Sequence, residues 1–262
     1  MKKIQTILFL VLAMVSASVS AKTLVVYYSY TNKSHEIVQT LISQIEADTM
    51  RIYPEDKTQQ YEANNYAIGT QLLNAINAAP DDPDSYPAID PVRITDLSSY
   101  QNIIIVTPLW WSQMAAIMQT YLFHYGPMMA GKHVGLIVSS HSSGISGVVA
   151  NAQRLVPDAV WMGEALWIKA SNHANRATLI QNWLTAIDYA SLAAKTAGDV
   201  NGNGEVNMDD LAALINFLLT DDANLIYFDN AAICDDLNSE TVEMDDLTAL
   251  INFLLTDNWP NR

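Results

Sequence analysis

Cysteine is almost missing from this chain: Cys234 is the single one in 262 residues. No intrachain disulfide can form and no C-x-x-C redox pair exists, so folded parts must be held by apolar packing or bound ligands. Positive charge is scarce as well. The chain has 13 Lys and Arg against 28 Asp and Glu, a net charge of -15, and no basic cluster offers a nucleic-acid footprint. Glycine is missing where phosphate-binding motifs need it. Lys33-Ser34 lacks the glycines of a P-loop, and the G-x-G-x-x-G dinucleotide fingerprint is absent for the same reason.

The longest apolar stretch, Ile4 to Val15, is short of the ~20 residues that span a bilayer. Lys2 and Lys3 precede it and Val19-Ser20-Ala21 follows, the pattern of a cleaved signal peptide. The expected organisation is a signal peptide over 1–21, a larger domain over 22–195 and a small domain over 196–262. The mature chain would start at Lys22 without a transmembrane segment, exported to the periplasm, the cell surface or beyond. No cysteine near the cut offers a lipid anchor.

Acid is concentrated at the end. From Gly198 onward there are 14 acidic residues and one basic, Arg262. This segment holds a duplication: MDDLAALINFLLTDD from Met208 and MDDLTALINFLLTDN from Met244. In each copy the apolar residues predict one helix face, Leu211, Leu214, Ile215, Leu218 and Leu219 matching Leu247, Leu250, Ile251, Leu254 and Leu255. Ahead of the first helix, DVNGNGEVNMDD sets Asp199, Asn201 and Asn203 at loop positions 1, 3 and 5, with Gly204 at the sharp turn. The Glu205 carbonyl follows at position 7 and the Asp210 carboxylate at position 12. This spacing wraps oxygens around a hard cation such as calcium. The loop-helix pair resembles the repeats of dockerin domains, whose position 12 is Asp. The second loop retains Asp235 and Asp246, has Ser239 at position 5, and carries Leu237 and Glu240 where a ligand and the turn glycine belong. Weak calcium binding, or none, is expected there. The resemblance implies a cohesin-like or other protein partner, although Met208-Asp209 and Met244-Asp245 stand where dockerins often carry Ser-Thr.

Between Lys22 and about Lys195 the chain alternates between the two periods. Strands are predicted near Thr23–Tyr28, Thr49–Tyr53, Asn102–Thr107, His133–Ser139 and Val160–Ile168. Helices are predicted near Ser34–Ala47, Tyr61–Ala78, Met114–Tyr125, Gly147–Leu155 and Ala174–Ala193, with Pro80 to Pro91 a surface connection. Runs such as NIIIVT and HVGLIV are apolar throughout, as in strands covered on both faces. Five such units predict a doubly wound five-stranded parallel sheet, whose ligands bind beyond the carboxyl ends of the strands. Three loops meet that edge. The first, Ser29 to Ser34, crowds hydroxyls at a helix start, where unpaired N–H groups favour a phosphate; alternatively Ser34 only caps the helix. The second carries Trp110-Trp111, a flat stacking surface. The third, Ser139 to Gly144, supplies small side chains and backbone donors.

With these loops the segment from about Thr23 to Ala186 resembles the flavodoxin-like families that have a Trp-Trp loop. Their phosphate loop reads close to S-x-T-G-N-T, and Ser29-Tyr30-Thr31-Asn32-Lys33-Ser34 follows it with Asn32 in the glycine position. Asn tolerates the left-handed backbone that such a turn needs. The resemblance implies non-covalently bound FMN: Ser29, Thr31 and Ser34, with Asn32 and Lys33 in the same turn, at the phosphate; Pro108, Leu109, Trp110 and Trp111 beside the ring; Ser140, His141, Ser142, Ser143 and Gly144 at its pyrimidine edge. The expected function is electron transfer to an unnamed redox partner, or a small reductase activity, with no side chain required as acid or base. The alternative is a scaffold whose tail docks on a partner and whose flavodoxin domain has lost flavin. A serine hydrolase is disfavoured, because Gly144-Ile145-Ser146-Gly147-Val148 lacks the last glycine of a nucleophile elbow.

Overall fold

The computed structural model describes residues 22–61, 63–193, 197–201, 206–222, 226, 231, 233, 242–256 and 259. The predicted signal segment, Cys234, and the predicted calcium ligands Asn203, Glu205, Asp235 and Ser239 lie outside the described residues.

The first strand, β1 (Thr23–Tyr27), is buried along its whole length, and its residues alternate between two cores. Val25 and Tyr27 face Ile37, Val38 and Leu41 of α1 (Lys33–Ile42) and Ile180, Trp183 and Leu184 of α5 (Arg176–Ala186). Leu24 and Val26 face the other way, into a cluster with Ile117 and Tyr121 of α3 (Ala116–Tyr125) and Val148 and Ala152 of α4 (Ser146–Leu155). A strand buried on both sides has no room for polar alternation, which is why these segments read as continuous apolar runs. The helix α2 (Ala63–Ala78) lies on the second side, with Leu73 and Ile76 against Ala116 and Tyr86.

The remaining strands are β2 (Asp48–Arg51), β3 (Asn102–Trp110), β4 (Gln113–Met114), β5 (His133–Ser140), β6 (Val160–Trp161) and β7 (Leu166–Lys169). The order across the sheet is β2-β1-β3-β5-β6, with β7 also paired to β5 and β4 to β3. All pairings are parallel except the short β3–β4 hairpin. The predicted strand Val160–Ile168 is interrupted: β6 and β7 pair with opposite ends of β5, and Gly163 between them takes a left-handed φ of 68°. The fifth position of the parallel sheet is therefore shared by two short strands. The predicted helix Ala174–Ala193 is likewise broken at Asp188, φ 50°, into α5 and α6 (Tyr189–Ala193). The connection predicted on the surface is anchored: Tyr86 is buried, and its hydroxyl donates to the Pro80 carbonyl at 2.6 Å.

In the C-terminal repeat, α7 (Met208–Thr220) and α8 (Met244–Thr256) bury Leu214, Phe217, Ala249 and Leu250 in one cluster with Val200. The predicted stripe is narrower than expected. Leu219 and Leu255 are each 78% exposed, while Phe217 joins the core. Among the described residues no helix is long and apolar enough to cross a membrane.

One buried charge opposes this packing. At the amino ends of the strands Lys132 is 8% exposed, and its ammonium reaches the Ser98 carbonyl at 3.4 Å. Burial lowers its pKa to about 8, partly offset by Asp96. Below that pH the folded state carries an unfavourable ammonium; between about 8 and the ordinary value of 10.5 the unfolded chain binds the proton and the folded chain does not, so stability rises with pH. Lys132→Met is expected to gain on the order of 2 kcal/mol over the parent at pH 7, with the gap closing above pH ~10. Urea melts of both proteins across that range measure the difference.

Candidate functional site

The order β2-β1-β3 means that the chain leaves β1 in one direction and β3 in the other, opening a crevice at their carboxyl ends. The turn after β1 is set by backbone geometry. Asn32 precedes α1 with φ 68° and ψ -7°, the left-handed conformation expected of it, and makes no side-chain cap. Ser29 takes that role: its hydroxyl accepts from the His35 N–H at 3.2 Å, while Arg51 donates to the Ser29 carbonyl at 2.9 Å. Ser34 does not cap the helix. It is 1% exposed, and its hydroxyl pairs with that of Ser139 at 2.8 Å, tying the α1 start to the end of β5.

After β3 the chain forms a hairpin in which Trp110 pairs with Gln113 across a two-residue loop, Trp111-Ser112. Both loop residues have positive φ, 46° and 62°, the type I′ geometry that matches strand twist and ordinarily takes Asn-Gly. Non-glycine residues there cost about 1 kcal/mol each, so the surroundings must hold them. A Cβ on Gly69 of α2 would sit 2.8 Å from the Trp111 ring, and one on Gly147 of α4 would collide with the Ser112 carbonyl. Asn151 accepts from the Met114 N–H at 3.0 Å. Two helices thus brace the tryptophans.

These loops wall a cleft of about 1150 Å³. Of the sequence-predicted residues, Thr31, Lys33, Pro108, Leu109, Trp110, Trp111, Ser140, His141 and Ser143 line it. Ser29 and Ser34 are buried behind the turn, and Asn32, Ser142 and Gly144 are off the wall. Ser140 accepts from the Trp167 indole at 2.7 Å and donates to the Ser143 carbonyl at 3.2 Å, fixing the third loop. Sequence reasoning missed Tyr30, Glu36, Tyr61, Tyr66, His173 and Arg176, which also line it, as do Ile168, Ala170 and Ala174 after the last strands. The Tyr61 ring lies tilted against Trp110 at 4.9 Å and edge-to-face with Tyr30 at 5.1 Å, and burial, then Asp56, push its phenol upward so that it stays neutral. His173 and Arg176 follow the last strand, and the rule that ligands meet strand carboxyl ends pointed there too.

In the tail, Asn207 caps α7 by accepting from Asp209 N–H at 2.8 Å. Asp210 is fully buried and accepts from the backbone N–H groups of Asn207 at 2.8 Å and Asn201 at 3.0 Å. Burial raises its pKa, opposed by those backbone donors. Asp246 is equally buried and accepts from Glu243 N–H at 2.9 Å. Both position-12 carboxylates therefore accept from backbone N–H groups that precede their helices, and Asp199 is buried at 5% exposure.

Two substitutions test the bracing of the hairpin. Ser112→Gly is expected to raise stability by about 1 kcal/mol by relieving the positive φ. Gly147→Ala is expected to lower it by about 1–3 kcal/mol by forcing the hairpin off α4. Denaturant midpoints of the two variants check both signs.

A model of the Flavodoxin family matches residues 22–187, and one of the Dockerin type I domain matches residues 177–231. Among proteins of curated function none matches the sequence. Of solved structures, a provisionally assigned flavoprotein from Bacteroides eggerthii is 24% identical, covering 64% of this chain and 98% of its own, with a TM-score of 0.51. Another from Bacteroides uniformis is 23% identical, covering 62% and 98%, with a TM-score of 0.50. These likenesses confirm the fold. With the family match spanning well over half of its length, the chain belongs to the flavodoxin family and carries a dockerin type I region at its C-terminal side.

Proposed function

We propose that the larger domain binds FMN non-covalently and works in electron transfer or as a small reductase. The observation that carries this reading is one cleft at the β1/β3 switch point, walled by the left-handed turn before α1 on one side and the braced Trp110-Trp111 hairpin on the other. The donor set fits the group: the α1 N-terminus favours an anion, indole and phenol faces suit a planar ring, and Ser140, His141 and Ser143 offer polar partners at its edge. Thr31, Lys33 and the α1 backbone would hold the phosphate; Trp110, Trp111 and Tyr61 would flank the ring. When bound, the flavin supplies the redox chemistry, and this chain's residues supply binding, orientation and access. The mature protein is expected to show flavin absorption bands as purified or on adding FMN, with quenched flavin fluorescence. FMN at a hundred times its Kd is expected to stabilise the fold by about 2.7 kcal/mol. Absence of both spectral and thermal responses would sink the reading.

We further propose that the chain is exported and that its tail, stabilised by calcium, docks on a cohesin-like or other protein. What favours a partner is the repetition of exposure: Met208 and Met244 are 65% and 62% exposed, and Ile215 and Ile251 are 38% and 37% exposed, at equivalent places in α7 and α8. The first loop would hold calcium through Asp199, Asn201, Asn203, Glu205 and Asp210, the second more weakly through Asp235, Ser239 and Asp246. Calcium neutralises carboxylates that burial otherwise disfavours. A chelator is expected to lower the melting temperature of the tail's transition in the full mature chain, and Asp210→Ala to remove the calcium response. An unchanged melt with calcium or chelator would count against the calcium assignment.

A further inference from the structure

Two aromatic rings of the cleft, Tyr61 and Tyr66, come from the end of the β2–α2 connection and the first turn of α2. Local preference alone would not hold that backbone, because Asn65 and Tyr66 take left-handed φ of 54° and 63°. Such residues persist where their contacts over-determine them. The contacts here begin at Tyr30. Its hydroxyl accepts from the Tyr61 N–H at 3.1 Å, and its ring meets that of Tyr61 edge-to-face at 5.1 Å. Tyr61 is 5% exposed, and a buried N–H needs an acceptor. From Tyr61 the rings continue in one chain of contacts. Tyr61 tilts against Trp110 at 4.9 Å, Trp110 stands edge-on to Trp111 at 6.5 Å, and Trp111 stands edge-on to Tyr66 at 5.6 Å. All five aromatic residues line the cleft.

We propose that Tyr30 is a positioning residue for the ring half of the site: its hydroxyl latches the chain at Tyr61 and so seats Tyr61 and Tyr66 against the Trp110-Trp111 hairpin as the wall that a planar ligand ring meets. The latch rests on the flavin reading above and deepens it by adding the start of α2 to the ring site. The Tyr30 backbone belongs to the turn after β1, but its hydroxyl oxygen is turned to a segment 31 residues away. Its effect therefore falls on the ring system, and two ligands with the same ring feel it equally whether or not they carry a phosphate. Tyr30→Phe removes the acceptor and retains the edge-to-face packing, which separates the hydrogen bond from the ring contact.

The test uses the full mature chain as parent, Tyr30→Phe and Tyr66→Ala. Amide hydrogen exchange of Tyr61 is followed without ligand, and FMN and riboflavin are each titrated by fluorescence quenching. Tyr30→Phe is expected to speed Tyr61 exchange about tenfold and to weaken both flavins by one common factor, about threefold to tenfold. The visible circular dichroism of the flavin at saturation is expected to change as well, which a mere loss of stability would not produce. Tyr66→Ala, at an exposed position, is expected to weaken both flavins equally and to leave Tyr61 exchange as in the parent. Unchanged exchange in Tyr30→Phe overturns the latch. Faster exchange with parent-like affinities and dichroism makes the bond a strut between two loops and overturns its role at the ring. A loss confined to FMN places Tyr30 at the phosphate and overturns it too, and full binding by Tyr66→Ala removes Tyr66 from the wall. If the parent binds neither flavin, the flavin reading itself falls and the ring wall with it; if the parent binds both and the variants bind like it, only the latch falls.

Discussion

The parallel pairing of β1 with β3, from Thr23↔Asn102 to Tyr27↔Val106, is the constraint on which the cleft depends. It brings two loops that are about 80 residues apart in sequence to one edge. Because the chain visits β2 on one side before crossing to β3, α1 and α3 cover opposite faces of the sheet, and the space between their loops stays open. The pairing holds because its residues are buried on both sides: Leu24, Val25, Val26, Ile103, Ile104 and Ile105 have no exposed surface. Burial of such side chains stabilises by about 1.5–3 kcal/mol each, so the sheet can carry a costly edge.

That cost is visible at the edge itself. Asn32, Tyr66, Trp111 and Ser112 all have positive φ; Tyr66 and Trp111 line the cleft, and Asn32 and Ser112 are chain neighbours of residues that do. Residues in such conformations persist where their surroundings over-determine them, and they gather at ligand sites. Here Gly69 and Gly147 give way so that Trp111 and Ser112 can approach α2 and α4, and the buried Ser34–Ser139 bond closes the first turn against β5. The cleft is therefore held open by packing rather than by its own loop residues.

The two parts of the chain use carboxylates in opposite ways. At the cleft the Glu36 carboxylate is paired with the Lys33 ammonium at 3.3 Å, and His173 Nδ1 lies 3.7 Å from it. In the tail, Asp210 serves two geometries at once, as the third residue of a helix whose Asn207 cap it completes and as the closing position of a loop. Its burial disfavours the charge that a cation would need, and the backbone donors from Asn201 and Asn207 retain part of it. A cation bound in this loop would therefore draw on the same two oxygens that the capped helix uses.

Much of the fold was legible in the sequence, because a strand buried on both faces must be apolar throughout and an amphipathic helix must repeat every three or four residues. β1, β3, β5, α1, α3 and α4 appear close to their expected positions for this reason, and the left-handed turn could be expected from Asn32 alone. The Trp-Trp loop, the duplicated helices and the acidic loop before Met208 were local patterns as well. What sequence could not decide were contacts between segments far apart. Ser34 looked like a helix cap, but only the proximity of Ser139 made it a buried partner. Leu219 followed the apolar period, but the packing of α7 against α8 left it in solvent and drew in Phe217. The wall formed by Tyr61, Tyr66, His173 and Arg176 carries no motif, since its members meet only when α2 and α5 pack around the crevice. Local propensity and periodicity determined the elements; the long-range packing of side chains decided which of them face a ligand.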